Sequence, residues 1–269
     1  MTDQVEHAEG EPCWADVMFP DVGAAKDFYG ELFGWTFVEG APEFGGYTQA
    51  YVGGADGAAV AAVSPQMPDM AGQPPAWNLY FTAPDIEATA ARIRTGGGTL
   101  LMEPMQVADF GTMVTAQDPS GVYFSAWQAG SHRGFEKRNA PGAFCWAEVN
   151  TRDVAKADAF FTSVFPFEAK RMVDEHIDYQ VWQVGGAPAL GRMKMGPEVP
   201  AEVPPHISVY FGVDDCDAAV ATVQRLGGRL NFGPMSSPFG RFAAVSDQQG
   251  AAFAVIDLST TEGEMPELV

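Results

Sequence analysis

The chain has 269 residues, of which 46% are hydrophobic, and 35 acidic against 15 basic side chains give a formal net charge of −20. This length suits two domains, and the negative field disfavours nucleic acid and anionic lipid as partners. No apolar stretch approaches the ~20 residues of a membrane helix, and the acidic N-terminus lacks a secretory pattern. We therefore expect a cytoplasmic protein whose three cysteines are reduced, since their spacing is not that of a metal site.

The first element predicted is a strand at 13–19, CWADVMF, whose side chains alternate between two faces. A helix follows, with Asp21 as its N-cap and Gly34 as its end. After two or three glycine-punctuated strands the order begins again, with a strand at 77–83 and a helix that Asp85 caps. The pattern predicts two successive βαβββ units.

The same pattern recurs in the second half of the chain, beginning at Phe144 with FCWAEVNTRDVAKADAFF. An internal repeat of this length indicates two homologous domains. We place the first domain at 9–130, a polar, glycine-bearing linker at 131–142, the second domain at 143–259 and a C-terminal tail at 260–269.

Several phrases carry a resemblance to a known family: FPDVGAAKDFYGELFGW, TAPDIEATAARIRTGGG, EPM…DFGTMVTAQDPSG and their second copies, which include SPFGRFAAVSDQQG. In their order and spacing, the chain resembles the vicinal oxygen chelate superfamily of glyoxalase I, extradiol dioxygenases and bleomycin-resistance proteins. It looks most like the tandem two-domain glyoxalase-like proteins of actinobacterial type. The resemblance implies an α+β fold of four βαβββ units that form two cup-shaped mixed sheets. The helices would lie outside and a ligand inside each cup.

The resemblance also implies where a metal would bind, because enzymes of the superfamily hold a divalent ion with His and Glu on first and last strands. The matched positions here are Trp14, Asn78, Trp146, Ser208, Ser125 and Ala254. Indole offers only an N–H donor, and amide and hydroxyl groups alone make a poor transition-metal site. The four histidines, His7, His132, His176 and His206, lie in a tail, a linker, a hairpin and a strand edge. We therefore expect no metal and no other cofactor.

Strand alternation predicts which side chains line the cups. The small apolar residues beside Trp14 and Trp146 suit packing against a helix. The tryptophans and every second residue along each strand should therefore face into the cups. Cys13 and Cys145, as direct neighbours of the tryptophans, should face the helices. Arg241 is the candidate counter-charge for the inward acids. The predicted ligand-binding residues are Trp14, Asp16, Met18, Asn78, Tyr80, Ser125, Trp127, Trp146, Glu148, Asn150, Ser208, Tyr210 and Arg241. Tyr47, Tyr51 and Tyr179 are further candidates.

The sequence leaves two questions open. Each cup forms either from the two units of one domain or, as in a fused glyoxalase dimer, from unit one with unit four and unit two with unit three. Three functions are compatible with the sequence. The protein is a metal-free binder of a hydrophobic or aromatic small molecule, or an enzyme that is metal-independent or uses an organic cofactor, with Asp16 or Glu148 as acid or base. The third alternative is a relic with filled cups whose surface mediates contacts. The composition of the predicted lining favours the binder. We expect a monomer or a homodimer.

Overall fold

The structure, a computed structural model, describes residues 6–174 and 176–269. The elements of the first domain are β1 (Pro12–Phe19), α1 (Val22–Phe33), β2 (Thr36–Glu39), β3 (Thr48–Val52), β4 (Ala58–Pro65), β5 (Trp77–Thr82), α2 (Ile86–Thr95), β6 (Thr99–Val107), β7 (Gly111–Gln117) and β8 (Tyr123–Ala129). Those of the second are β9 (Phe144–Thr151), α3 (Val154–Val164), β10 (Glu168–Arg171), β11 (Tyr179–Val184), β12 (Ala187–Lys194), β13 (His206–Gly212), α4 (Cys216–Arg225), β14 (Arg229–Ser237), β15 (Gly240–Ser246) and β16 (Ala252–Asp257).

Local sequence signals fix the helix ends. Asp21 accepts a hydrogen bond from the Ala24 amide, and Asp85 accepts one from the Ala88 amide, so both predicted N-caps are confirmed. Gly34 ends α1 with φ at +68°, a left-handed conformation that glycine adopts without strain. Between these ends, α1 buries Ala25, Phe28 and Tyr29.

Each domain forms one curved sheet of eight strands, in the orders β2-β3-β4-β1-β5-β8-β7-β6 and β10-β11-β12-β9-β13-β16-β15-β14. The first strands of the two units pair antiparallel at the centre, β1 with β5 and β9 with β13. The α+β class with two repeated units per domain is therefore confirmed. Of the two pairings left open, the one within each domain is correct and the fused-dimer arrangement is wrong. We call the concave faces of the two sheets the first cup and the second cup.

The core lies between the convex backs of the sheets, where helices of one domain pack on strands of the other. Phe33 of α1 contacts Phe211 of β13 with 5.3 Å between ring centroids, and Phe81 of β5 contacts Phe165 beyond α3 at 5.0 Å. Tyr29 donates to Asp247 across the domains at 2.9 Å. The two domains therefore share one core, which holds the cups in a fixed relation.

The segment predicted as a linker is packed rather than loose. Its Phe135 is buried and its Gly142 carbonyl accepts a hydrogen bond from Trp35 Nε1 at 2.7 Å. All helices in the described residues are short, and none has the length and apolarity to cross a membrane.

Candidate functional site

A hydrogen-bonded carboxylate on β1 forms the floor of the first cup. Asp16 accepts hydrogen bonds from Tyr80 Oη at 2.8 Å, Tyr47 Oη at 3.2 Å and Asn78 Nδ2 at 3.3 Å. Trp14 Nε1 donates in turn to Tyr47 Oη at 2.8 Å. The strand register sets this arrangement, because Trp14 lies opposite Tyr80 and Asp16 lies opposite Asn78. The sequence-predicted residues of these two strands thus come together, and Tyr47 joins them.

The second cup repeats the arrangement around Glu148 on β9. Tyr179 and Tyr210 each donate to one carboxylate oxygen at 2.8 Å, and Trp146 Nε1 donates to Tyr179 Oη at 2.9 Å. Gly191 lies opposite Glu148 on β12, where a Cβ would collide with Tyr179 Oη. The glycine therefore lets the phenol approach the sheet and reach the carboxylate.

The two floors differ in the number of donors to the acid. Asn78, the third donor in the first cup, is matched by Ser208 in the second. Ser208 Oγ instead accepts from Asn150 Nδ2 at 3.1 Å, and this amide also donates to the Glu148 backbone carbonyl at 3.0 Å. A carboxylate has about four acceptor positions. Glu148 therefore keeps more of its acceptor capacity free than Asp16 does.

The chain itself seals the first cup. His132 lies edge-on against the Trp14 ring at 4.5 Å between centroids, and Phe135 packs on the same ring at 5.6 Å. The His132 carbonyl accepts a hydrogen bond from Trp127 Nε1 at 2.9 Å. As a result, Trp14 is only 2% exposed and Asp16 only 5%. His132 lies between β8 and β9, in the segment predicted as a linker, but the sequence did not predict that its side chain covers the first cup.

Within the described residues, the second cup lacks such a cover, because the segment after its last strand takes a different path. The Glu262 amide donates to Ser237 in the β14–β15 hairpin, and the Val173 amide beyond β10 donates to Glu267, both at 2.9 Å. This C-terminal segment therefore links the hairpins at the two edges of the sheet. Trp146, Glu148 and Tyr210 remain partly exposed, and in the described part of the chain no aromatic ring packs on Trp146.

In the first domain the matching hairpins touch directly. Phe44, between β2 and β3, contacts Phe110, between β6 and β7, with 5.3 Å between ring centroids. The two cups thus share a frame and differ in what lies over the floor.

An aromatic ladder leads from Glu148 toward solvent. Tyr210 contacts Phe242 of β15 at 6.2 Å between centroids, and Phe242 contacts Phe232 of β14 at 6.3 Å. Phe232 is 56% exposed. The sequence analysis missed both phenylalanines. The position of Phe242 directly after Arg241 was a usable signal, since neighbours on a strand face opposite sides.

Burial shifts the ionisation of both floor acids. Desolvation raises the pKa of Asp16 from 3.8 to about 6, against the three hydrogen bonds that lower it. Desolvation also raises the pKa of Glu148, against the bonds from Tyr210 and Tyr179. Burial, and then the adjacent Glu148 charge, raise the pKa values of both tyrosines well above the usual value, so the phenols stay protonated as donors.

Arg241 is not the counter-charge of either acid. Its guanidinium pairs with Asp217 of α4 at 2.6 and 2.9 Å, on the helix side of the sheet. The prediction that Arg241 lines a cup is therefore wrong. Neighbouring residues on a strand face opposite sides, and on β15 the cup side is taken by Phe242.

The other predicted residues lie as follows. Ser125 donates to Asn78 Oδ1 at 3.1 Å and exchanges a hydrogen bond with Thr115 at 2.9 Å. Met18 is half-buried beyond the floor of the first cup, opposite Ser64. Tyr51 bonds Gln49 and contacts neither acid. Cys13 and Cys145 are buried, and burial raises their pKa values to about 12 and about 11, as expected of inert core thiols.

The floors do not fit a divalent metal. Each cup offers one carboxylate, and phenols already occupy its oxygens, while the neighbours are indole, amide and hydroxyl groups. Among residues 6–174 and 176–269, no group of three or more His, Cys, Asp or Glu side chains is placed to hold a metal ion. A metal bound here would lack the imidazole and carboxylate set that such ions require.

Paired βαβββ units with a polar floor inside a curved sheet define a protein of the cup-shaped, glyoxalase-like class. The sequence profile of the Glyoxalase/Bleomycin resistance protein/Dioxygenase superfamily matches residues 7–125 and 144–255. The chain belongs to this superfamily.

The chain is similar in sequence to one set of named proteins and in fold to another. The anthracycline biosynthesis protein DauV of Streptomyces sp. strain C5 is 36% identical over 264 residues, which cover 93% of this chain and 94% of the relative. The fold matches an Mn(II)-bound glyoxalase from Novosphingobium aromaticivorans, with 16% identity, a TM-score of 0.63 and coverage of 95% and 86%. It also matches the 2,3-dioxygenase LapB from Pseudomonas sp. KL28, with 14% identity, a TM-score of 0.65 and coverage of 98% and 95%.

Proposed function

We propose that the protein is a metal-free small-molecule binding protein whose second cup holds a flat hydrophobic or aromatic ligand. The observation that carries the proposal is the difference between two cups with the same frame. Trp14 and its neighbours are sealed beneath His132 and Phe135, whereas Trp146 and Tyr210 stay accessible. The floor of the first cup is part of the core, and we propose that the partly exposed floor of the second receives an external ring.

The lining of the second cup supports an aromatic ligand. Trp146 lies two residues from Glu148 on β9 and opposite Tyr210, which leads to Phe242 and Phe232. A stacked aromatic pair adds about 0.5–1.5 kcal/mol beyond its area burial. The few polar groups on the floor would fix orientation, as in most small-molecule pockets. The name of the relative DauV refers to anthracyclines, which are flat polycyclic aromatic molecules, and this chemistry suits the same lining.

The proposal extends to the form and place of the protein. We propose that it needs no metal, because no donor set of the described residues suits one. We also propose that it works in the cytoplasm, in keeping with three cysteines that are free and buried.

The test measures binding of the neutral fluorescent probe 9-(hydroxymethyl)anthracene to purified protein, together with elemental analysis. We expect saturable binding without stoichiometric metal. Phe242→Ala should weaken binding about fivefold or more, since it removes one ring contact. Met113→Ala is the matched control, because Met113 pairs with Met105 in the first domain as Phe242 pairs with Met235 in the second. Equal losses in the two variants, or bound Mn, Fe, Ni or Zn at one per chain, would contradict the proposal.

A second function has one specific observation in its favour. Glu148 is accessible, has a raised pKa and touches two protonated phenols, which are the properties of a general acid or base. Asp16, the other sequence candidate, is sealed from substrate. Turnover of a bound compound that disappears in Glu148→Gln while binding persists would establish the enzyme.

A further inference from the structure

We infer that the ligand of the second cup carries a protonated amine, which Glu148 and the surrounding rings bind as an ammonium ion. The inference rests on the proposed function, because it gives the chemical class of the ligand in the same cup.

The negative charge of Glu148 is not paired with a positive charge of the described residues. Its two donors, Tyr179 and Tyr210, are neutral phenols. Among the described residues, Glu148 takes part in no ion pair. Arg192 follows Gly191 on β12 but points to the helix side, where Asp158 and Asp178 bind it at 2.8 and 2.7 Å. A partly buried carboxylate without a protein cation gains most from an external one.

The surroundings of this carboxylate are aromatic. Tyr179 of β11 and Tyr210 of β13 reach Glu148 from either side of β9, Trp146 lies two residues from it on β9, and Phe242 packs beyond Tyr210. The face of an aromatic ring attracts cations, so an ammonium group at Glu148 would gain from each of these rings that it contacts face-on. An anionic group would meet repulsion from Glu148 and from the net charge of −20.

The acids of the two cups also differ in how many hydrogen-bond donors the chain provides for them. Asp16 has a third donor, the Asn78 amide, and is covered by the chain. In the second cup Ser208 replaces that amide and bonds Asn150 instead. The acid that the chain buries thus has three donors, and the acid that it covers only in part has two. An ammonium group has three N–H donors and fills the remaining acceptor positions of Glu148 with charge-assisted bonds.

Three probes with one ring system test the inference: 9-(aminomethyl)anthracene, which is a cation at neutral pH, the neutral 9-(hydroxymethyl)anthracene and the anionic anthracene-9-carboxylate. We expect the amine to bind at least about tenfold more tightly than the alcohol, and the carboxylate most weakly. Glu148→Gln should reduce the amine-to-alcohol ratio to near one while the alcohol still binds. Glu148→Asp retains the charge and should keep most of the ratio.

A control separates this site from the general field of an acidic protein. Glu168→Gln makes the same chemical change at an exposed position on β10 of the same domain, and it should leave the ratio unchanged. Repeating the titrations at about 1 M NaCl, where the Debye length is ~3 Å, screens exposed charges and should preserve most of the preference.

The outcomes distinguish the two proposals. If alcohol and amine bind the native protein equally well, or Glu148→Gln keeps the preference, the ammonium inference is overturned and the binding function stands. If no probe binds, the proposed function itself fails. Circular dichroism of each variant confirms the fold, and retained alcohol binding confirms an intact cup.

Discussion

The asymmetry of the cups predicts that one substitution has different consequences at two matched positions. Trp14→Ala and Trp146→Ala remove the same side chain from equivalent strands. Each also removes one hydrogen bond of nearly equal length, 2.8 Å to Tyr47 and 2.9 Å to Tyr179. Differences between the two variants therefore report on burial and packing around the indole.

The structure sets the expected magnitudes. Trp14 is 2% exposed and packs on His132 and Phe135, so its removal leaves a cavity, and we expect a loss of about 4 kcal/mol in unfolding free energy. Trp146 is partly exposed and lacks such a cover, so about half of that loss, ~2 kcal/mol, is expected. Binding should behave in the opposite way, because only Trp146 lies in the cup for which we propose a ligand.

Urea unfolding followed by far-ultraviolet circular dichroism measures the first effect, and titration with 9-(hydroxymethyl)anthracene measures the second. Trp146→Ala should weaken binding about tenfold, and Trp14→Ala should change it less than twofold under conditions where the variant is folded. Equal losses of unfolding free energy in the two variants would refute the claim that His132 and Phe135 bury Trp14 more deeply than the chain buries Trp146. A binding loss in Trp14→Ala as large as that in Trp146→Ala would refute the assignment of the binding cup.

Three other predictions follow from single contacts. Because burial raises the pKa of Asp16 from 3.8 to about 6, the folded state retains a proton that the unfolded chain has released. The unfolding free energy should therefore fall as pH rises from about 4 to about 6, by at most about 3 kcal/mol more than in Asp16→Asn, which has no carboxyl group to titrate. Urea titrations that give the same pH dependence for both proteins would contradict this. Tyr29→Phe removes the 2.9 Å bond to Asp247 and should lower the unfolding free energy by about 1.5–3 kcal/mol; a loss below ~0.5 kcal/mol in urea titrations would show that this bond matters little. Deleting 262–269 removes the acceptor of the Val173 amide, so hydrogen exchange there should accelerate; unchanged protection by mass spectrometry would place that amide in another bond.

The sequence predicted those parts of the fold that depend on local chemistry. The repeated pattern, the caps at Asp21 and Asp85 and the inward phase of Trp14 and Asp16 all follow from periodicity and capping. The pairing of units did not follow, because either arrangement buries the same strand faces and leaves the same pattern.

Two features of the candidate site lay beyond such patterns. Phe232 was missed because β14 carries register irregularities on both sides of it, and these interrupt alternation. Whether a cup is open depends on the path of the segment after its last strand. Neither 130–135 nor 258–269 is a helix or strand with a period to read. Long-range contacts such as His132 on Trp14 decide the matter.

The sealed first cup is itself an argument against reading the second as a relic. The chain covers one floor with two side chains, His132 and Phe135, and burial lowers the pKa of His132 to about 4, so that the imidazole rests on Trp14 uncharged at neutral pH. The same frame recurs around Glu148, yet the C-terminal segment passes to the β10 edge, and the acid is partly exposed and takes part in none of the ion pairs of the described residues. An exposed aromatic ladder beside such an acid lowers the stability of the isolated protein, because apolar surface stays in water. A ligand over this floor would remove that apolar surface from water, which is the role that we propose for it.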